Sequence, residues 1–260
     1  VMLRVVLSAG LLFGAGAAYG QFGENQVIRQ DFHWKVRSTE HFDIHYYEAD
    51  AILVPETAEI LETAFSRVAK MLDIPVEAPR WASSSVKKSF KWERRPFFLY
   101  ASPNDFAQST ITNAGDGTGG ITEPFKNRFM VYNDGSRQWL EEIITHEFVH
   151  IMQFHVLLTG FWKTGAILKT IIYPLWMMEG MPGYVTYGIE SALEEITIRD
   201  AATSGGLISL VILEHFGHLK PHQVTLAYKE GAAAMEFLAK QFGTKKVGQM
   251  LKMFENRFEV

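Results

Sequence analysis

The sequence predicts an α+β fold in which a strand-rich first half is followed by a helix-rich second half. Before residue 137 the apolar residues alternate with polar ones or form short apolar runs, which is typical of strands. After residue 137 they recur at helical spacing over long segments. Because strands and helices are segregated along the chain, the pattern favours α+β over alternating α/β. We expect one domain over residues 39–260, strand-rich over 39–136 and helix-rich over 137–260.

The first twenty residues have the pattern of a secretory signal peptide. Arg4 precedes an apolar stretch from Val5 to Ala18, and Ala18-Tyr19-Gly20 places small residues where a signal peptidase cuts. The alternative, a buried N-terminal helix, is disfavoured by four glycines. We therefore expect an extracytoplasmic protein, periplasmic or secreted, with a signal peptide over residues 1–20 and a lead-in segment over 21–38.

Composition excludes several classes of function. The net charge is −4 and no block of like charges is present, so no basic surface for nucleic acid is predicted. The absence of cysteine excludes disulfides, cysteine-type zinc sites and thiol nucleophiles. Histidine, aspartate and glutamate remain available as metal ligands.

Individual elements follow from local patterns. Alternation in HFDIHYY predicts a strand, and helical spacing after Pro55, which suits the first turn, predicts a helix. In the first half the predicted elements are a strand at 41–47, a helix at 55–72, a loop at 75–89, strands at 96–101 and 128–133, and between these a glycine-rich loop at 113–124 that enters an edge strand. In the second half, helices are predicted at about 137–156, 175–189, 201–216, 224–242 and 244–255.

The strongly apolar stretch Val156–Met178 raises the question of a membrane span. Lys163, Lys169 and Pro174 interrupt it, so no run of about 18 apolar residues remains and a span is not favoured. An interfacial or site-covering segment fits better. A membrane anchor at Ile167–Met178 is the alternative, which solubility without detergent would test.

The stretch THEFVHIMQF at 145–154 carries the pattern HExxH. On a helix, His146 and His150 share one face and can bind one metal ion, while Glu147 projects beside that ion. This is the arrangement of zinc peptidases, in which the glutamate accepts a proton from water. The pattern arises by chance in about one such sequence in a hundred. A third ligand is therefore needed, because catalytic zinc takes three protein ligands.

Glu179 is the best candidate for the third ligand. His155 would need a glycine at 153 and a histidine at 156 to fit the metzincin pattern, and the chain has other residues there. Three more histidines lack a recognisable context: His215, His218 and His222. Glu179 lies within the apolar segment PLWMMEGMPGYVTYG, where burial is costly unless the carboxylate binds metal or pairs. The alternative is a solvent-facing glutamate near a helix N-terminus.

These two motifs together resemble the gluzincin zinc metallopeptidases of the thermolysin-like superfamily. The second motif is most similar to the W-x-x-E-G-x-A-x-Y segment of the aminopeptidase-N branch, with Pro182 in place of the small residue; the matching positions are Trp176, Glu179, Gly180 and Tyr184. The resemblance implies a thermolysin-like domain, in which a mixed sheet with an edge strand precedes a helical half that carries HExxH. It also implies one zinc ion per chain, bound by His146, His150 and Glu179, with Glu147 as general base.

A further similarity lies in LAYKEGAAAMEFLAKQFG at 226–243. It resembles the Y-x-x-G segment of the family, which implies that Tyr228 donates a hydrogen bond to the oxyanion formed during hydrolysis. The alternative is an ordinary core tyrosine. The segment between the second histidine and Glu179 is longer than in the aminopeptidase-N branch, so the chain is more similar to bacterial peptidase-MA-like proteins. Several of these continue into a Tol-type β-propeller, and we expect that a longer parent protein can carry one.

The substrate-binding strand is expected at GGITEPFKN, in place of the absent exopeptidase signature GAMEN. An edge strand there can pair with an extended peptide. The candidate substrate-binding residues are Gly119, Gly120, Ile121, Thr122 and Glu123. Glu123 is a candidate for binding a substrate amino terminus, although loop glutamates are usually just solvated; exopeptidase and endopeptidase action both stay open.

The expected function is zinc-dependent hydrolysis of a peptide or protein substrate. One alternative is a catalytically silent module of the gluzincin fold that binds peptides or cell-envelope partners. Another is a different zinc-dependent hydrolysis, such as epoxide opening, because one fold can host several chemistries.

Overall fold

A computed structural model describes residues 31–76, 92–109, 118–124, 126–157, 173–187 and 192–255 of the 260-residue chain. These residues form one mixed sheet of five strands and a set of packed helices, consistent with the predicted α+β class. Several predicted features lie wholly or mostly outside the described residues. The whole signal peptide (1–20) does so. Of the others, the parts outside are residues 21–30 of the lead-in, residues 77–89 of the predicted loop 75–89, residues 113–117 of the glycine-rich loop and residues 158–172 of the apolar stretch.

The strands are β1 (Lys35–Ser38), β2 (Phe42–Tyr46), β3 (Arg95–Tyr100), β4 (Gly120–Glu123) and β5 (Arg128–Tyr132). The α-helices are α1 (Val54–Met71), α2 (Pro103–Ser109), α3 (Arg137–Leu157), α4 (Leu175–Tyr187), α5 (Ala192–Ser204), α6 (Pro221–Phe242) and α7 (Lys245–Glu255). Two short 3-10 helices cover Glu48–Leu53 and Ile212–Glu214.

The sheet has the order β1-β2-β3-β5-β4. Its three central strands are parallel, with Ile44 opposite Phe97 and Phe97 opposite Phe129. β1 and β4 pair antiparallel with their neighbours and lie at the two edges. The prediction of an edge strand after the glycine-rich loop is therefore confirmed over Gly120–Glu123.

One face of the sheet builds the main core. Alternate residues of the three central strands are fully buried: Phe42, Ile44, Phe97, Leu99, Phe129 and Val131. They pack against apolar residues of α1 and α3, such as Leu61 and Phe148. Full burial of one such side chain contributes about 1.5–3 kcal/mol, so this face fixes α3 against the sheet.

The other face carries a smaller apolar cluster and, beside it, a group of buried polar side chains. The Tyr47 hydroxyl donates to Asp105 Oδ2 at 2.6 Å and accepts from the backbone N–H of Ala101 at 2.6 Å. Asp50 is 1% exposed, and its Oδ2 atom has no hydrogen-bond partner among the residues that the structure describes. Burial, and then the nearby Asp105 carboxylate, raise the pKa of Asp50 to about 7. Tyr47, Asp50 and Asp105 are called the acidic cluster below.

The helical half is built around α3, which packs on α1, α4, α7 and the β4–β5 edge of the sheet. α4 lies between α3 and α6. α4 and α6 touch at Gly180 and Gly231, where a Cβ atom on either residue would overlap the backbone of the opposite helix. Only glycine allows two helices to approach this closely, and the crossing sets which residues of α6 lie near α4.

The predicted helix at 201–216 is wrong. Helix α5 ends at Ser204, and Gly205 follows with a φ of +72°, a left-handed conformation that ends helices. Four apolar residues of this segment are exposed, namely Leu207, Leu210, Val211 and Ile212, whereas Leu213 in the short 3-10 helix is fully buried. The other four helices of the second half are confirmed within a few residues.

Strand β1 lies within the predicted lead-in 21–38. Its sequence, KVRS, has no apolar alternation that would indicate a strand, and all four residues are exposed. Among the described residues, no helix combines the length and apolar character that crossing a membrane requires.

Candidate metal centre

Helix α3 places His146 and His150 side by side, with ring centroids 5.1 Å apart. Both Nε2 atoms lie near Oε2 of Glu179 on α4, at 3.6 Å for His146 and 3.4 Å for His150. Ligand atoms of the three residues all lie within 4.8 Å of one another, and the described residues hold this one group of three that could bind a metal ion. The sequence-predicted ligands are thus brought together from two helices.

These distances fit a tetrahedral metal site. Bonds of about 2.0–2.2 Å from zinc to histidine nitrogen and carboxylate oxygen, at tetrahedral angles, separate neighbouring ligand atoms by about 3.4 Å. The separations between the Glu179 oxygen and the two histidine nitrogens, 3.4 and 3.6 Å, agree with this value. The geometry suits a small divalent cation but does not by itself select zinc.

The electrostatics of the group also favour a cation. Burial acts to raise the pKa of Glu179, but the two histidines hold it well below the ordinary range. Burial acts to lower the pKa of His150, but the Glu179 carboxylate raises it to about 9. The carboxylate therefore stabilises positive charge between these side chains, and a divalent cation supplies that charge.

Glu147 lies next to the three ligands but is not one of them. Its side chain is buried, and its Oε2 atom accepts a hydrogen bond of 2.7 Å from the hydroxyl of Thr122 on β4. A Cβ atom on Gly120 would lie 2.6 Å from Cγ of Glu147, so a side chain there would displace either the strand or the glutamate. The missing side chain of Gly120 thus lets the edge strand lie directly against the predicted general base.

Tyr228 on α6 reaches the same group. It lies one turn before Gly231, and Glu179 directly precedes Gly180, so the glycine crossing places the two side chains together. Burial, and then the carboxylates of Glu179 and Glu147, raise the pKa of the Tyr228 hydroxyl. With 37% of the residue exposed, the phenol is a neutral donor at the open side of the centre.

The other predicted substrate-binding residues lie along β4 with different surroundings. Gly119 approaches the side chains of α3, and Ile121 packs on the second face of the sheet. Glu123 pairs with Arg128 and, at 3.4 Å, with Lys126. Burial acts to raise the pKa of Glu123, but the Arg128 interaction lowers it. The Glu123 carboxylate is thus engaged within its own hairpin, which weakens the idea that it receives a substrate amino terminus.

Sequence reasoning missed Gln153. The residue is fully buried, and its Oε1 atom lies 2.8 Å from Nδ1 of His150. Its Nε2 atom donates to the backbone oxygen of Met178, at 3.0 Å, one residue before Glu179. The available signal was its position three residues after His150 on the same helix, where side chains meet.

His155, rejected above as a ligand, packs 5.2 Å from the ring of Trp92 and is not part of the metal-binding group. Burial lowers its pKa, and Arg95 lowers it further.

A scan of protein-family models and a search of curated proteins found no match to this chain.

Proposed function

We propose that the chain is a zinc-dependent peptidase of the thermolysin-like gluzincin type, with His146, His150 and Glu179 holding one zinc ion. The observation that carries the proposal is the convergence of both histidine Nε2 atoms on one Glu179 oxygen, at 3.6 and 3.4 Å, from separate helices. The adjacent edge strand and Glu147 support it, because a hydrolase needs a base and a place for its substrate beside the metal.

Each remaining side chain has a role that its surroundings support. Glu147 accepts the proton of the attacking water and returns it to the nitrogen of the leaving amine. The Thr122 hydrogen bond to Oε2 orients the Glu147 carboxylate and leaves Oε1 for that water. Tyr228 donates a hydrogen bond to the oxygen on which negative charge develops.

Zinc, when bound, supplies Lewis acidity that polarises a carbonyl group and makes water more acidic. The peptide lies extended along the outer edge of β4, which in the described part of the chain pairs with β5 only. Backbone hydrogen bonds along such an edge are independent of sequence, so side-chain pockets decide the preference among peptides.

The test compares zinc-loaded wild type with Glu147→Gln on a peptide library, with products detected by mass spectrometry. The substitution keeps the shape of the side chain but removes the base, so turnover should fall by about 10²–10⁴-fold. Zinc content should stay at about one ion per chain, because Glu147 is not a predicted ligand. Glu141→Gln is the matched control, since Glu141 is exposed on the same helix.

Retained turnover in Glu147→Gln, after a contaminating protease has been excluded, would contradict the proposed role of this residue. Wild type that binds one zinc ion but hydrolyses no peptide would favour the silent binding module or a different zinc hydrolysis.

A further inference from the structure

We propose that Gln153 is a positioning residue that fixes His150 as a metal ligand, and that Pro182 determines which way the Gln153 amide points. The inference rests on the proposed metal centre and deepens it. It concerns the hydrogen bonds behind the ligands, from α4 through Gln153 to the far side of His150.

The chain of hydrogen bonds begins at Pro182, a buried residue inside α4. In an α-helix the N–H of residue 182 would donate to the backbone oxygen of Met178, but proline has no N–H. The Met178 oxygen thus lacks its ordinary helical partner, and a buried carbonyl without a hydrogen bond is unfavourable. Gln153 Nε2 donates to this oxygen at 3.0 Å, and lies 3.4 Å from the oxygen of Met177.

The orientation of the Gln153 amide follows from this contact. A carbonyl oxygen can only accept a hydrogen bond, so the NH₂ group of Gln153 must face Met178 and Oε1 must face His150. Because Oε1 only accepts, Nδ1 of His150 must donate across the 2.8 Å contact. The lone pair of neutral His150 is then on Nε2, the atom that faces Glu179 at 3.4 Å.

An amide at this position differs from the carboxylate that often supports a metal-bound histidine. It holds the ring orientation but adds no negative charge behind the ligand. Among the three proposed ligands only Glu179 is a carboxylate, and Gln153 adds no second negative charge behind His150, so a bound cation would keep more of its positive charge for the substrate. Gln153 also joins α3 to α4 one residue before Glu179, so it holds the two ligand helices in register.

The experiment measures zinc affinity of metal-free protein by chelator competition, and the visible absorption of the cobalt(II)-loaded form as a reading of coordination. The variants are Gln153→Met, Gln153→Glu and the double variant Gln153→Met with Pro182→Ala. Gln153→Met removes the acceptor for His150 and should weaken zinc binding about 10- to 100-fold, with an altered cobalt spectrum. Gln153→Glu, when its buried carboxyl is protonated, can still accept from His150 and donate to Met178, and should bind zinc much as wild type does.

The double variant separates positioning from packing. Pro182→Ala supplies the missing N–H to Met178, so it should recover thermal stability lost in Gln153→Met, while zinc affinity stays low because His150 still lacks its acceptor. If circular dichroism shows that Gln153→Met alone does not fold, zinc affinity is measured on the double variant instead.

Unchanged zinc affinity in Gln153→Met, or recovery of both stability and affinity in the double variant, would overturn the inference and leave the metal centre intact. Wild type that binds no zinc would overturn the metal centre itself, and this inference with it.

Discussion

Two groups of buried or half-buried polar side chains lie in different halves of the molecule, and their charges are arranged in opposite ways. In the helical half, two histidines face one carboxylate, and a glutamine supports one of the histidines from behind. In the sheet half, the acidic cluster brings together two carboxylates and one phenol, and one oxygen of Asp50 accepts no hydrogen bond from the described part of the chain.

The difference shows that burial of polar groups does not by itself indicate a functional site. Both groups cost free energy to bury, because polar atoms leave water. The proposed metal centre offers complementary ligands, all of which one cation would satisfy together. The acidic cluster offers like charges. Burial, and then the Asp105 carboxylate, raise the pKa of Asp50 to about 7, so below that pH Asp50 is mostly protonated and the repulsion is relieved.

The largest effect is expected when one ligand of the metal centre is removed. Glu179→Ala deletes the oxygen on which both histidines converge. Loss of a residue that only hydrogen-bonds to a metal ligand lowers metal affinity by roughly 10- to 100-fold, and we expect a larger fall in zinc affinity here. Elemental analysis and chelator competition measure this directly. Glu195→Ala, an exposed residue of α5, is the control and should bind zinc as wild type does. If Glu179→Ala still held one zinc ion per chain with wild-type affinity, Glu179 would not be a ligand, and the two groups would not differ in the way proposed.

The phenols of the two groups offer a matched pair. Tyr228→Phe removes the donor expected to face the oxyanion, so kcat should fall by about 10²–10³-fold with little change in thermal stability. Tyr47→Phe removes the donor to Asp105 and the acceptor of the Ala101 N–H, so it should cost about 1–3 kcal/mol of stability. Its turnover should stay near wild type at temperatures where the protein is folded. Equal losses of turnover in both variants would mean that Tyr228 acts only through packing.

The smallest effect is expected from Asp50→Asn. The folded pKa of Asp50, about 7, lies above the ordinary 3.8, so between these values the folded chain holds a proton that the unfolded chain has released. The stability that protonated Asp50 contributes to the wild-type fold is therefore greatest below about pH 4. It falls as the pH rises to about 7 and stays constant above that.

The neutral amide of Asp50→Asn should remove this slope. At about 1.4 kcal/mol per pKa unit the upper limit of the gain at pH 8 is about 4 kcal/mol, and we expect about 2 kcal/mol because the buried amide also needs partners. Chemical denaturation from pH 4 to pH 8 measures the difference from wild type, with Glu59→Gln on the exposed face of α1 as control. A constant difference between the two proteins across this range would show that Asp50 does not titrate with folding.

The local parts of the centre were predictable from sequence because helical spacing determines them. His146 and His150 lie four residues apart on a long apolar helix, and the structure confirms that helix. The third ligand depends on how α4 packs. The apolar surroundings of Glu179 in the sequence made it a candidate, whereas only the resemblance to a known motif singled out Tyr228. In structural terms, Glu179 reaches the histidines through the packing of α4 on α3, and Tyr228 reaches Glu179 through the contact of Gly180 with Gly231. No local pattern indicates either contact.

Failures of prediction have equally local causes. The helix at 201–216 was predicted from apolar spacing, but Gly205 takes a left-handed conformation and ends α5 early. Gln153 was noticed only as the residue that breaks a different zinc motif. Its second partner, the oxygen of Met178, lies on another helix and is available because of Pro182.

The glycine crossing of α4 and α6 has a consequence for biosynthesis. The ribosome completes α3 and α4, with all three proposed ligands, before α6 is made. Until α6 emerges and docks at Gly180, the nascent chain has no phenol beside Glu179. Under the proposed function, the full set of catalytic side chains is therefore present only after α6 has been made and has docked on α4.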